Sequence, residues 1–444
     1  MPDMIRGALD SCALLWSIAA FCVIGWASGN ATFRRNPQDT RVTSSGAQAL
    51  VFRGRIWAAA RHLSIAIAVL FLCDQHRLQP WAYQGWIIML IVGWGAGRAK
   101  MKPGEERSAK CQGATMWAGS PVRLSPWQWF LLRAFAISVY LYSASGKFDA
   151  QFFHTVGPQM INVPMRWGFL SIRNLPQTVV FALVSLLPAI ELGLGLLLIF
   201  PACRRYAGWG LVFMHLTLLV ILGPFGLNHH LPVLIWNVFF LGQAWFLFVA
   251  PGHADDTRDN MDVLLARTDP GANPSTEATL VSDEELSAAG RLGQLRSLGI
   301  AGWGATLIVA AVITLPLGER HQLWDHWLSW SLYSPHSSRC RVWLHESIVD
   351  RLNDSVRMHV DDTADESGFR ELHLDDWSLT SIGVPIYPQA RYQAALIQRI
   401  AKMPSVDNRM RAVRLSVSDR WTGVRRSTPI QTRDVGDASD RWRD

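Results

Sequence analysis

LLPAIELGLGLLLIFPACRRYAGWGLVFMHLTLLVILG, Leu186–Gly223, holds two apolar runs separated by a short turn with two arginines. With the apolar residues that precede it, each run approaches the roughly 20 residues that cross a bilayer. The turn PACRRYAG is short enough to make the two helices antiparallel neighbours. One glutamate and one histidine, Glu191 and His215, interrupt the runs. At 1.5 Å rise per residue both sit about 12–14 Å from the turn, so they share a depth. Ionisable groups are expensive in lipid and usually face the bundle interior. The stretch therefore predicts an integral membrane helix pair with a polar interior.

The rest of the chain agrees. Half of its 444 residues are hydrophobic and 21 are tryptophan, too apolar for an ordinary soluble protein. Eight segments form the expected set: Leu9–Ala27, Ile56–Cys73, Trp81–Gly97, Trp127–Gly146, Gln177–Phe200, Ala207–Gly223, Leu231–Ala250 and Ile300–Leu317. The third and sixth are short, which leaves seven or nine spans open. No small-residue cleavage site follows the first segment, which is kept as an uncleaved helix.

A net charge of +7 invites a nucleic-acid reading. The basic residues, however, collect in short loops and form no stripe with interleaved aromatics, so nucleic acid is not expected as a partner. Arg34, Arg35, Arg41, Arg53 and Arg55 follow the first segment. Arg98, Lys100, Lys102, Arg107, Lys110 and Arg123 follow the third, Arg204 and Arg205 the fifth, and Arg258, Arg267, Arg291 and Arg296 the seventh. The alternate loops carry only Arg77, Lys147, Arg166 and Arg173. The richer side is expected to be cytoplasmic, in a bacterial inner membrane, with both termini outside.

The expected organisation is an N-terminal membrane region over 1–126, a four-helix bundle over 127–250, a cytoplasmic linker over 251–298, a further span over 299–317 and an extracytoplasmic α+β domain over 318–444. In the linker, Ser282 is placed to cap a short amphipathic helix. In the last domain RVWLHESIV, SVRMHV and RMRAVRLSVS alternate as strands do. YQAALIQRIAKM carries an apolar helical face, and a polar tail starts near Pro429. Trp324, Trp327, Trp330 and Tyr333 suit an aromatic belt at the outer membrane surface.

Candidate functional groups lie at two depths. Glu191 and His215, with Asn237 of LIWNVFFLGQ, would line a buried pocket or proton relay, or else hydrogen-bond to fix helix packing. Gly193 and Gly195 would let a helix or a flat ligand come close. Near the outer surface lie Lys147, Asp149, His154, Asn228, His229 and His230. Lys147 either snorkels to the headgroups or sits in an apolar pocket, where loss of water disfavours the ammonium and the amine can act as a base. His229 and His230 are adjacent and cannot easily both face one ion, with His154 the only other nearby donor, so no metal site is assigned. Arg133 is expected to snorkel to the cytoplasmic face. Ser125-Pro126 is an N-cap with a first-turn proline. Cys12 and Cys73 fall near the same outer surface and are candidates to pair. Cys340 is left single.

YSASGKFDA, LLPAIELGLGLLLIFPACRRYAGWG and LIWNVFFLGQ together carry a likeness: Trp127–Ala250 resembles the DoxX/MauE group of four-helix membrane proteins associated with redox processes. YLYSASGKFDAQFFHTVG with MHLTLLVILGPFGLNHHLPVLIWN also looks, more distantly, like the horizontally transferred transmembrane group that includes vitamin K-dependent γ-carboxylase. In that group a lysine followed by a hydrophobic residue and Asp serves as the base on a reduced quinone, a role that would fall to Lys147. The resemblances imply a membrane quinone as cofactor or substrate, or a partner redox protein. The paired-cysteine motif of members tied to thiol chemistry is absent. The competing expectation is a non-catalytic anchor or assembly factor.

Overall fold

The computed structural model of the chain describes residues 45–73, 78–94, 124–229, 231–250, 299–331, 336–382, 386–402, 406 and 409–430. The expected first span, Cys12, His230, the 251–298 linker with Ser282, and Tyr333 lie outside them. The chain forms two compact units. One takes residues up to Leu70, Trp81–Leu141 and Glu191–Thr314; the other takes Phe71–Pro80, Tyr142–Ile190 and Leu315 onward.

The helices of the first unit follow the apolar runs: α1 (Ser45–Cys73), α2 (Pro80–Trp94) and α3 (Pro126–Lys147, through Leu141). Further along the chain, α4 (Val156–Trp167) belongs to the second unit. The first unit resumes with α5 (Gln177–Leu197, from Glu191), α6 (Arg204–Leu222), α7 (Leu231–Ala244) and α8 (Ile300–Thr314). Among the described residues three helical stretches are long and apolar enough to cross a membrane: Gln177–Leu197, Arg204–Leu222 and Ile300–His321. Ala59–Cys73 and Val233–Val249 are apolar but shorter. α3 is long enough, but Gln128, Arg133, Ser138, Ser143 and Lys147 dilute its apolar character. Phe213, Leu216, Trp303 and Leu307 leave broad apolar surface uncovered on α6 and α8.

Ser125 caps α3 reciprocally. Its hydroxyl accepts from Gln128 N at 3.2 Å, while Gln128 Oε1 accepts from Ser125 N at 2.8 Å, the two-way arrangement of a capping box. The Gln128 amide also donates to the carbonyls of Ile91 and Val92, at 3.1 and 2.9 Å. It thus satisfies acceptors that the end of α2 would otherwise leave open. Small residues set the helix crossings. A Cβ on Gly210 would meet Leu194 Cδ2 at 2.6 Å, and one on Gly208 would meet Phe248 Cβ at 2.7 Å. Arg133, expected to snorkel, is half-buried. Its Nε donates to Leu247 O at 3.1 Å, inside the π-helical turn Trp245–Val249. It thus supplies a donor to a carbonyl near a helix end.

In the second unit a four-stranded antiparallel sheet has the order β2-β1-β3-β4, with β1 Arg339–His345, β2 Phe369–Leu372, β3 Met410–Leu415 and β4 Ser427–Pro429. Val342 pairs with Leu372 on one side and Ala412 on the other. Cys340, Val342 and Leu344 alternate inward, as the pleat requires. Helix α9 (Leu374–Ile382) follows β2, and α10 (Ala390–Ala401) packs on β1 and β3. Ile397, Ala394 and Ile400 of α10 complete the core with Val342, Leu344 and Leu372. Burial pushes the Cys340 thiol up to about 12, so it packs as an inert apolar group.

Three expectations fail here, the first in part: RVWLHESIV leaves β1 at His345 and turns helical over Glu346–Val349. SVRMHV was expected as a strand, but Asn353 caps a helical turn at Asp354–Arg357 by accepting from Ser355 N at 3.1 Å. Only Val360 bridges to the sheet, at Leu372. The strand that pairs there is Phe369–Leu372. Trp330 is not part of a surface belt: it is fully buried, at a left-handed turn with φ 60°.

Candidate functional site

In the first unit, Glu191 and His215 are both buried, 8% and 4% exposed. The Tyr140 hydroxyl lies 3.1 Å from His215 Nε2, and His215 Nδ1 lies 3.2 Å from Asn237 Oδ1. Asn237 Nδ2 donates onward to Val233 O at 2.9 Å. One tautomer satisfies the whole chain: Tyr140 donates to Nε2, and Nδ1–H donates to Asn237. The Phe240 ring stacks on the imidazole at 5.1 Å and 1°. Gly195, one turn beyond Glu191 on the same face, brings α5 onto α3: its Cβ would lie 3.2 Å from Leu141 and 3.3 Å from Tyr140. Gly193 faces open space. Of the three residues grouped from the sequence, His215 and Asn237 are hydrogen-bonded to each other, and Tyr140, which the sequence did not single out, closes the network with its hydroxyl.

Lys147 belongs to the second unit and ends α3. Its side chain is buried, 8% exposed, and Nζ donates back to Ser143 Oγ at 2.9 Å. It therefore turns inward along its own helix instead of extending to the exterior. Asp149, in extended backbone, caps the next helical turn by accepting from Gln151 N at 2.9 Å. Its other oxygen takes the Arg320 guanidinium at 2.7 Å. Asp149 has no exposed side-chain surface and Arg320 is 26% exposed. Arg420 donates to Ser145 O at 2.9 Å and Phe148 O at 2.8 Å, supplying the donors and positive charge that a helix C-terminus favours. Gly423, at φ 68°, lets Gln151 Nε2 reach its carbonyl at 2.9 Å. The motif SGKFDAQ is thus held by residues more than 170 positions away.

Beside this cluster in the chain lies a group the sequence did not single out. Leu315 precedes a proline, which disfavours continued α-helix, and the chain tightens into a 3-10 turn over Leu315–His321 that carries Glu319 inward. Glu319 Oε1 lies 2.9 Å from His326 Nδ1 and 3.0 Å from His336 Nε2, and Oε2 lies 3.0 Å from the same Nε2. The two imidazoles meet edge to face at 4.7 Å and 78°. Burial pushes His336 below its ordinary range, against the upward pull of Glu319. Its charge-free form is therefore the one favoured near neutral pH. Among the described residues these three are the group with metal-holding geometry.

The remaining polar candidates each have their own surroundings. His154 is exposed, edge-on to Phe181 at 5.3 Å. Asn228 occupies a left-handed turn at φ 49°, and His229 N closes that turn on Leu222 O at 2.8 Å. No protein-family model, curated protein or solved structure matches the chain.

Proposed function

We propose that the chain is a multi-pass protein of a bacterial inner membrane, of DoxX/MauE type, that serves a redox process at a membrane quinone, with Lys147 as the base. In this reading eight helices cross the bilayer, the arginine-rich loops face the cytoplasm and residues 318–444 lie outside. The observation that carries it is the placement of Lys147: a buried amine at the end of α3, within hydrogen-bond reach of Ser143. The neighbouring carboxylate, Asp149, is engaged by Arg320. A lysine that only marked the membrane edge would gain nothing from burial, since its stem can carry the ammonium to water. In the neutral state the amine lone pair takes the proton of an acidic hydroxyl, such as that of a reduced quinone, as the O–H bond breaks.

A second reading, an anchor or assembly factor for a partner redox protein, is favoured by the Tyr140–His215–Asn237 chain. Its hydrogen bonds are mutually satisfied, which is how polar groups fix helix packing in lipid.

Extraction in mild detergent and mass spectrometry of bound small molecules distinguishes the readings. Wild type is expected to retain a lipid quinone, and Lys147→Met, of similar length and without charge, to lose it while staying monodisperse. Equal retention by both proteins would remove Lys147 from the site. A quinone-free wild type that copurifies with another polypeptide would favour the anchor.

A further inference from the structure

We propose that Glu319, His326 and His336 form a binding site for one divalent first-row transition cation, with Zn2+ as its natural probe. The inference stands apart from the quinone reading and uses different side chains.

The donor atoms already converge. All three lie within 4.8 Å of one another, and both imidazoles face the same carboxylate oxygen, at 2.9 and 3.0 Å. A tetrahedral ion with bonds of about 2.0–2.1 Å spaces its ligands about 3.3 Å apart. The two carboxylate–imidazole separations therefore need to open by a few tenths of an ångström, with the two imidazole nitrogens within 4.8 Å of each other. Two imidazoles and a carboxylate are the set that takes zinc in a three-ligand site with one position left open. The same set suits iron(II) and other transition ions, whereas Ca2+ and Mg2+ prefer oxygen donors throughout.

Burial sharpens the point. The side chains of Glu319, His326 and His336 are 8%, 7% and 0% exposed. Removing a carboxylate from water is costly unless something compensates it. Two neutral imidazoles each offer one N–H, whereas a divalent ion in the same space offers two full charges, each N–H moving to the other ring nitrogen as the facing nitrogen becomes a ligand. The three residues also come from three separate pieces of chain: the 3-10 turn at Leu315–His321, the residue before the turn at Trp327–Ser329, and the approach to β1. A cation there would staple the 3-10 turn at Leu315–His321 to the segment that leads into β1. Binding should weaken as pH falls through the histidine range, because protons then compete for the same nitrogens.

The test uses the full chain in detergent, stripped with EDTA, then incubated with Zn2+, desalted and analysed by inductively coupled plasma mass spectrometry, with thermal unfolding run alongside. Wild type is expected to hold one ion per chain and to unfold at a higher temperature with Zn2+ than with EDTA. Co2+ loading should give the visible bands of a low-coordinate N/O site. Glu319→Gln and His336→Gln should bind weaker by more than the about 10–100-fold lost when only an outer partner of a metal site is removed, and their unfolding should ignore Zn2+. Should His336→Gln fail to fold, the wild-type stoichiometry and the Co2+ spectrum still decide the matter. A wild type that retains no ion and shows neither the unfolding shift nor the Co2+ bands would overturn the proposal. Unchanged binding in Glu319→Gln would overturn it as well.

Discussion

Asp149→Ala is expected to destabilise the protein by about 3–5 kcal/mol, the range for removing one partner of a buried ion pair. Asp149 is fully buried, while Arg320 at 2.7 Å keeps a quarter of its surface in water. The lost attraction itself is modest; the larger cost is the positive charge left behind. Arg420 and Arg425 also feel the Asp149 carboxylate, so alanine leaves three guanidinium groups without it. The change also removes the cap on Gln151 N, which alone is worth about 0.5–2 kcal/mol. Asp149→Asn keeps a capping oxygen and loses the charge, so its cost should fall between wild type and alanine. Denaturant unfolding in detergent, followed by tryptophan fluorescence, measures the series. A loss under about 1 kcal/mol for alanine, the scale of an exposed pair, would show that this pair is not held as described.

The second large effect lies in the sheet unit. Ile397→Ala is expected to cost about 2–5 kcal/mol, the range for emptying a buried aliphatic position. Ile397 has no exposed surface and packs in the cluster that joins α10 to β1, β2 and β3. Alanine recovers a few tenths of a kcal/mol of helix propensity, at most about 0.7, which does not offset the cavity. Arg399→Ala, exposed on the same helix, should stay within about 0.5 kcal/mol. Unfolding of the full chain measures both, and equal small changes would mean that α10 is not seated on the sheet.

Much of this arrangement was legible because period and punctuation agreed. Ser125-Pro126 marked the start of α3, and YQAALIQRIAKM announced α10 through its apolar face. Arg339–His345 and Met410–Leu415 carried the strand alternation. SVRMHV misled because six alternating residues do not show that Asn353 will start a helical turn. Phe369–Leu372 was missed because four residues are too few for a period to emerge. Arg133 went unread because its acceptor, Leu247 O, is 114 positions away, and a long-range hydrogen bond leaves no local signal. The same limit hid the metal-type group. Glu319 and His326 lie seven positions apart and His326 and His336 ten, and the three fit no zinc motif. The tight turn after Thr314 and the fold of the segment onto the sheet unit are what bring them together. Lys147 was visible as a helix-terminal lysine, but its turn back to Ser143 and the bonds of Arg420 and Gly423 to SGKFDAQ leave no local signal.

Outward placement of the sheet unit and of Lys147 with it is tested most directly by side-specific labelling. Glu366→Cys, in an exposed turn, is placed in a chain whose other cysteines, apart from buried Cys340, are serine. Intact spheroplasts are then treated with a membrane-impermeant maleimide. The account predicts labelling at Glu366→Cys before lysis, and labelling of a companion Ser282→Cys only afterwards. Protection of Glu366→Cys until the membrane is broken would place the lysine site on the cytoplasmic side and contradict the account.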